Sequence, residues 1–215
     1  MKKTFAALMA FGFLASPAAA HEVWIERDAT GPARIYLGEP ADVVPDAGDP
    51  EFPNLKAPKL FQADASKPAP LVRRANHIEA AVAGSGDLRL TDDNVFAPWE
   101  GEGGKWEGVV YYARAGRAEA RTVLDLEISP VNANADSFAV SWLGKPLAGA
   151  KVTVVNADRW QKSFIADAQG RVTVPVTTPG RYLLSVSHDV EGARALGGKT
   201  VAKTIHVSTL TFAKQ

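Results

Sequence analysis

"IADAQGRVTVPVTTPGRYLLSVSH", residues 165–188, is the stretch whose reading decides the fold. "DAQG" carries turn chemistry, with Asp167 placed to bond the backbone ahead of it. "RVTVPV" and "RYLLSVSH" are short, rich in β-branched and aromatic residues, and separated by "TPG". That is the pattern of strands broken by Gly/Pro turns. Working outward, "FAVSWLG", "KPLAGAKVTVVNAD" and "WQKSFIAD" precede it in the same style, and "KTIHVSTLTF" follows. Short strands at this spacing predict a β-sandwich over 137–213. The polar "SPVNANADS" at 129–137 reads as a linker.

Upstream, strand signals again dominate. "EVWIE" at 22–26 and "ARIYLG" at 33–38 flank the turn-like "DATGP". "KWEGVVYYARAG" at 105–116 reads as a strand, with "AEARTVLDLEIS" at 118–129 as its hairpin partner. Further strands are expected around 71–74 and 77–83. Residues 39–70 are rich in proline, each of which removes a donor and restricts its predecessor, so a long loop with one short helix near 59–63 is expected. A loop of that length in a compact domain is often functional. The whole reads as all-β, in two β-sandwich-like lobes: a β-rich domain over 21–130 and an immunoglobulin- or prealbumin-like sandwich over 137–213.

Residues 1–20 read as a secretory signal peptide. Lys2 and Lys3 precede an apolar run over 4–16, and Ala18, Ala19 and Ala20 supply a small-residue cleavage site. Cleavage after Ala20 makes His21 the first residue of a mature chain, with its imidazole and a free amine on one residue. Without Lys2 and Lys3, 22 basic residues face 24 acidic ones, a net charge of −2. No basic stripe appears, so nucleic acid is not an expected partner. There is no cysteine, and both methionines, Met1 and Met9, precede the cleavage site. Soft sulfur ligands are therefore excluded, and a transition-metal site must use imidazole, carboxylate, amine or water. After the signal no apolar run is long enough to span a bilayer. A periplasmic location fits these features.

"HEVWIE" at the expected mature start, "GKPLAGAKVTVVNAD", "IADAQGRVTVPVTTPGRYLLSVSH" and "TIHVSTLTF" together resemble the DUF4198 family. The likeness covers about 21–40 and 138–213 and is weak over 41–130. The C-terminal half is also similar to carboxypeptidase-regulatory and prealbumin-like modules. The resemblance implies an exported protein, in some members linked to nickel or cobalt uptake. It also implies a histidine-plus-acid followed by a histidine just before "TLTF". This chain departs from some nickel-handling proteins in having no His-rich run.

Four histidines are available: His21, His77, His188 and His206. At a free N-terminus His21 offers two nitrogens for little ordering entropy, with affinity falling as both protonate. His188 shares a strand face with Leu184 and Val186 by alternation. If 182–188 and 200–212 form a hairpin, His188 and His206 become neighbours. Asp189 and Glu191, in the intervening "DVEGARALGGK" loop, are then candidate oxygen ligands or acceptors for imidazole. The competing reading is a structural cross-strand pair. His77 sits beside Arg73 and Arg74, whose charge disfavours a cation. "EGEGGKWEG" opens no helix, so it is a hairpin turn rather than a phosphate loop. Trp24, Trp99, Trp106, Trp142 and Trp160 read as core or rim aromatics, or as a carbohydrate platform if several are exposed.

Three functional readings remain. The first is a periplasmic accessory protein binding divalent nickel, cobalt, copper or zinc, with His21, His188, His206 and Asp189 as the site. Its partners would be a membrane metal transporter or an outer-membrane receptor. The second is a non-catalytic module binding protein or glycan through an exposed apolar patch. The third is a copper enzyme built on an N-terminal histidine brace, which needs a second histidine close to His21.

Overall fold

The computed structural model describes residues 21–28 and 30–215; the expected signal peptide lies outside the described residues. Among the described residues sixteen strands form three sheets. In chain order they are β1 (Glu22–Arg27), β2 (Ala33–Gly38), β3 (Lys59–Phe61), β4 (Val72–Arg73), β5 (Ile78–Ala80), β6 (Leu88–Asp92), β7 (Trp99–Glu100) and β8 (Trp106–Ala115). Then come β9 (Leu126–Pro130), β10 (Ser137–Trp142), β11 (Lys145–Pro146), β12 (Lys151–Val155), β13 (Gln161–Ile165), β14 (Arg171–Thr173), β15 (Gly180–Leu196) and β16 (Lys199–Lys214). The fold is all-β, as the alternating sequence predicts.

The largest sheet runs β13-β12-β15-β16-β8-β6-β3, with β7 paired to β8. One flanking sheet is β1-β2-β5-β4; the other joins β9, β10, β11 and β14. Pleating turns alternate residues of the large sheet to opposite sides. Val109, Tyr111 and Ala113 of β8 face the first flanking sheet and pack with Val23, Ile25 and Ile35. Val110 and Tyr112, with Leu184 and Val186 of β15, face the second and pack with Ile128, Phe138 and Val140. The large sheet is therefore the shared middle layer between two apolar cores. Thr209 donates its hydroxyl to the Val23 carbonyl at 2.8 Å, and Thr211 does the same to Ile25, which holds β1 across β16.

Several local expectations change. The expected division into 21–130 and 137–213 is crossed by the pairing: β8 lies parallel to β16 over nine register pairs from Lys203↔Glu107 to Thr211↔Ala115. The expected linker at 129–137 is the end of β9 and the turn leading into its antiparallel partner β10. Residues 118–129 do not pair with 105–116; β8 pairs instead with β6 and β16. Residues 59–61 are strand rather than helix, and the one short helical turn of the 39–70 loop is Phe52–Asn54. The expected loop after His188 is mostly strand: β15 and β16 continue to a two-residue turn at Gly197 and Gly198, whose φ values are 54° and 77°. Positive φ at both positions matches the right-handed strand twist and favours glycine. Among the described residues no helix is long and apolar enough to cross a membrane.

Candidate metal centres

His21 lies immediately before β1, on the side of the middle sheet that faces β1 and β2. Its Nε2 is 3.1 Å from Asp49 Oδ1. Asp49 comes from the proline-rich loop. The same Oδ1 accepts the Glu51 N–H at 2.7 Å, an Asx-type turn that leads into the helical turn at Phe52–Asn54. Gly38 is the close neighbour that lets this carboxylate approach: a Cβ there would sit 3.2 Å from Asp49 Oδ2. Phe96 stands edge-on to the His21 ring, with centroids 6.4 Å apart.

Next to His21, the Glu22 carboxyl turns toward the middle sheet and hydrogen-bonds Ser185 of β15. Burial pushes it up to about 7, against the lowering effect of that bond. Its Oε2 and the Tyr111 hydroxyl are both buried with no hydrogen-bond partner among the described residues. Burial raises Tyr111 strongly, with the Glu22 and Asp92 charges adding to it. Burial also raises Asp92, the register partner of Tyr111.

The hairpin expectation for the other two histidines holds: His188 and His206 are register partners in β15 and β16. Both point to the opposite side of the middle sheet from Ser185, toward β10. Trp142 at the end of β10 stands edge-on to both rings, with centroids 5.1 Å from His188 and 4.4 Å from His206. Tyr112 stacks on His206 at 5.8 Å. Its hydroxyl lies 3.1 Å from His206 Nδ1 and donates to Asp125 Oδ2 at 3.4 Å. His206 is 1% exposed. Burial first, then the charges of Arg194 and His188, bring it down to about 4, so its imidazole is neutral at neutral pH. His188 is half-buried.

The expected four-residue site is therefore divided. His188 and His206 come together, but His21 does not join them, because β1 covers the other side of the sheet that carries them. Asp189 does not join them either. Alternation turns it to the face opposite His188, where it pairs with Lys203 Nζ at 2.7 Å. Glu191, opposite Lys203 in register, shares that face. His77, set aside on the sequence, bonds Asn76 through Nδ1 at 2.8 Å and lies 4.0 Å from Glu79. Burial lowers its pKa, and Arg34 and Arg74 add to the effect against Glu79. Among the described residues no cluster of three or more His, Cys, Asp or Glu is poised to hold a metal.

The sequence reading missed Asp49, Tyr112 and Asp125. Each reaches its histidine through a long-range contact, 28 residues away for Asp49 and 94 for Tyr112. No local spacing announces such a contact. Of the five tryptophans, Trp160 is the exposed one, at 51%, so no multi-ring platform forms. Asp167 does act as a turn residue, accepting the N–H groups of Gln169 and Arg171. Comparison with protein-family models, with curated proteins and with solved structures finds no match.

Proposed function

We propose that this chain, after removal of residues 1–20, is a periplasmic accessory protein. In this reading it binds a divalent transition-metal ion through the α-amine and imidazole of His21 and serves metal uptake or delivery. The carrying observation is the Asp49 contact. An amine and a ring on the same histidine close a six-membered chelate through Nδ1, and Asp49 engages the other nitrogen, Nε2. A carboxylate accepting Nε2–H holds the lone pair on Nδ1 and sets the ring orientation, the usual outer-sphere support for a metal-bound imidazole. Nitrogen and oxygen donors without sulfur suit nickel, cobalt, zinc or copper(II), with copper(II) binding tightest in vitro. Partners of this reading are a membrane metal transporter or an outer-membrane receptor.

The histidine-brace enzyme draws no support from this geometry, since the second histidine it needs would have to share the His21 side of the sheet. The interaction-module reading would draw, among the described residues, on exposed apolar side chains such as Val43, Leu143 and Trp160.

The test is a copper(II) or nickel(II) titration of the mature protein, its N-terminus verified by mass spectrometry, against a form acetylated at the His21 α-amine. Loss of one bound equivalent in the acetylated form is expected. Asp49→Asn should keep the stoichiometry and weaken that equivalent by about 10–100-fold. Equal binding by the mature and acetylated proteins rejects the N-terminal site.

A further inference from the structure

We infer that His188 and His206 form a second, separate binding site for a divalent transition-metal ion, on the opposite side of the middle sheet. Tyr112 and Asp125 would hold His206 in the tautomer that binds. This inference does not depend on cleavage at Ala20 or on His21.

The argument begins with register. Directly opposed residues of an antiparallel pair carry Cβ atoms roughly 4.5–5.5 Å apart on the same face. His188 and His206 are such a pair. Two imidazoles at that spacing can converge on one ion with nitrogen–metal distances near 2.0–2.1 Å.

The second step is the proton count. When the one hydroxyl hydrogen of Tyr112 goes to Asp125 Oδ2, the 3.1 Å contact to His206 Nδ1 is Nδ1–H donating to the Tyr112 oxygen. The His206 lone pair is then on Nε2, and this is the tautomer we assign. A carboxylate that orders a hydroxyl, which orders an imidazole, is a two-step version of the carboxylate–histidine support found behind metal ligands.

The third step is the wall. Trp142 stands edge-on to both rings and limits rotation of both, so little side-chain freedom remains to be lost on binding. Arg194, whose charge is felt at His206, opposes a cation there. Two imidazoles against one guanidinium make a weak, exchangeable site, with the remaining positions open to water or to a donor from another molecule.

The experiment uses the full mature protein acetylated at its N-terminal amine, which removes the His21 chelate and leaves this face untouched. Copper(II) is titrated while tryptophan emission and heat are recorded. One equivalent should bind and quench emission, and most of the quench should vanish in Trp142→Phe. His188→Ala, at a half-buried position, should abolish the equivalent. Tyr112→Phe should weaken it about 10–100-fold and, without metal, move the His206 ring proton from Nδ1 to Nε2 in nitrogen-15 NMR. Arg194→Gln should tighten binding. An acetylated protein that binds no copper, or that binds it equally with His188→Ala, overturns the inference. Neither result bears on the His21 chelate, which is scored by the difference between the mature and acetylated forms.

Discussion

Glu22 and His206 are buried groups whose titrations pull in opposite directions. Folded Glu22 keeps its proton up to about pH 7, whereas an unfolded one loses it near 4.5. In that window the folded state binds more protons, so stability falls as pH rises. Folded His206 binds its proton only near pH 4, against 6.5 unfolded, so there stability rises with pH. The two slopes offset each other over the shared window. Glu22→Gln removes the first. Relative to the wild type, the variant should gain stability as pH rises from 4.5 to 7, approaching ~1.4 kcal/mol per pH unit where the wild-type slope is steepest. Urea titrations at several pH values measure this, and parallel wild-type and variant curves would refute it. Another residue-scale case is Glu127. Its Oε1 accepts Arg89 Nε at 3.0 Å and Arg114 Nη1 at 2.9 Å, while Oε2 accepts the Leu124 N–H at 2.8 Å. All three side chains are fully buried. Glu127→Ala leaves two guanidinium groups short of a counter-charge inside the protein, and a loss of about 3–5 kcal/mol is expected in urea unfolding. Nothing local marked Glu127 or Asp49 as special, because a lone carboxylate in a sequence reads as solvated until its partner is known.

At the scale of the element, turns carry much of the specification. Gly198 has φ +77° and open space where a Cβ would go, so Gly198→Ala is expected to cost only the backbone strain, about 1–2 kcal/mol. Gly170 has φ +70°, but a Cβ there would lie 2.7 Å from the Val140 oxygen and 2.9 Å from the Leu147 nitrogen. Those are backbone atoms of the neighbouring β10–β11 hairpin and cannot swing aside. Gly170→Ala should therefore lower the melting temperature distinctly more than Gly198→Ala; equal effects would contradict the close packing. Both glycines sit where the sequence pattern places turns. The lengths of the elements were less legible. "DVEGARALGGK" is polar and glycine-containing, hence loop-like, yet it is mostly strand. Pairing of β15 with β16 continues through a register shift between Glu191 and Arg194. Leu196 then returns to the core beside Gly108, where a Cβ would meet it at 2.5 Å.

For the whole molecule, the shared middle sheet makes one cooperative unit out of two cores. Calorimetry should show a single unfolding transition whose van't Hoff and calorimetric enthalpies agree. A fragment of residues 137–215 would lose β8 from the side of β16 and β9 from the side of β10, leaving two bare strand edges, and it should not fold as a soluble monomer. Two separated transitions, or a well-folded monomeric fragment, would argue for independent halves. Amino-acid order by itself determined the all-β class, most turn positions, and the meeting of His188 with His206. These follow from alternation, glycine and proline chemistry and hairpin arithmetic, all of which act over a few neighbouring residues. Tertiary structure alone decided that β8 lies parallel to β16, that His21 and the histidine pair occupy opposite sides of one sheet, and that Asp49 contacts His21 and Tyr112 contacts His206. Partner choice between strands distant in sequence depends on which faces can be buried together, and only the packed whole evaluates that.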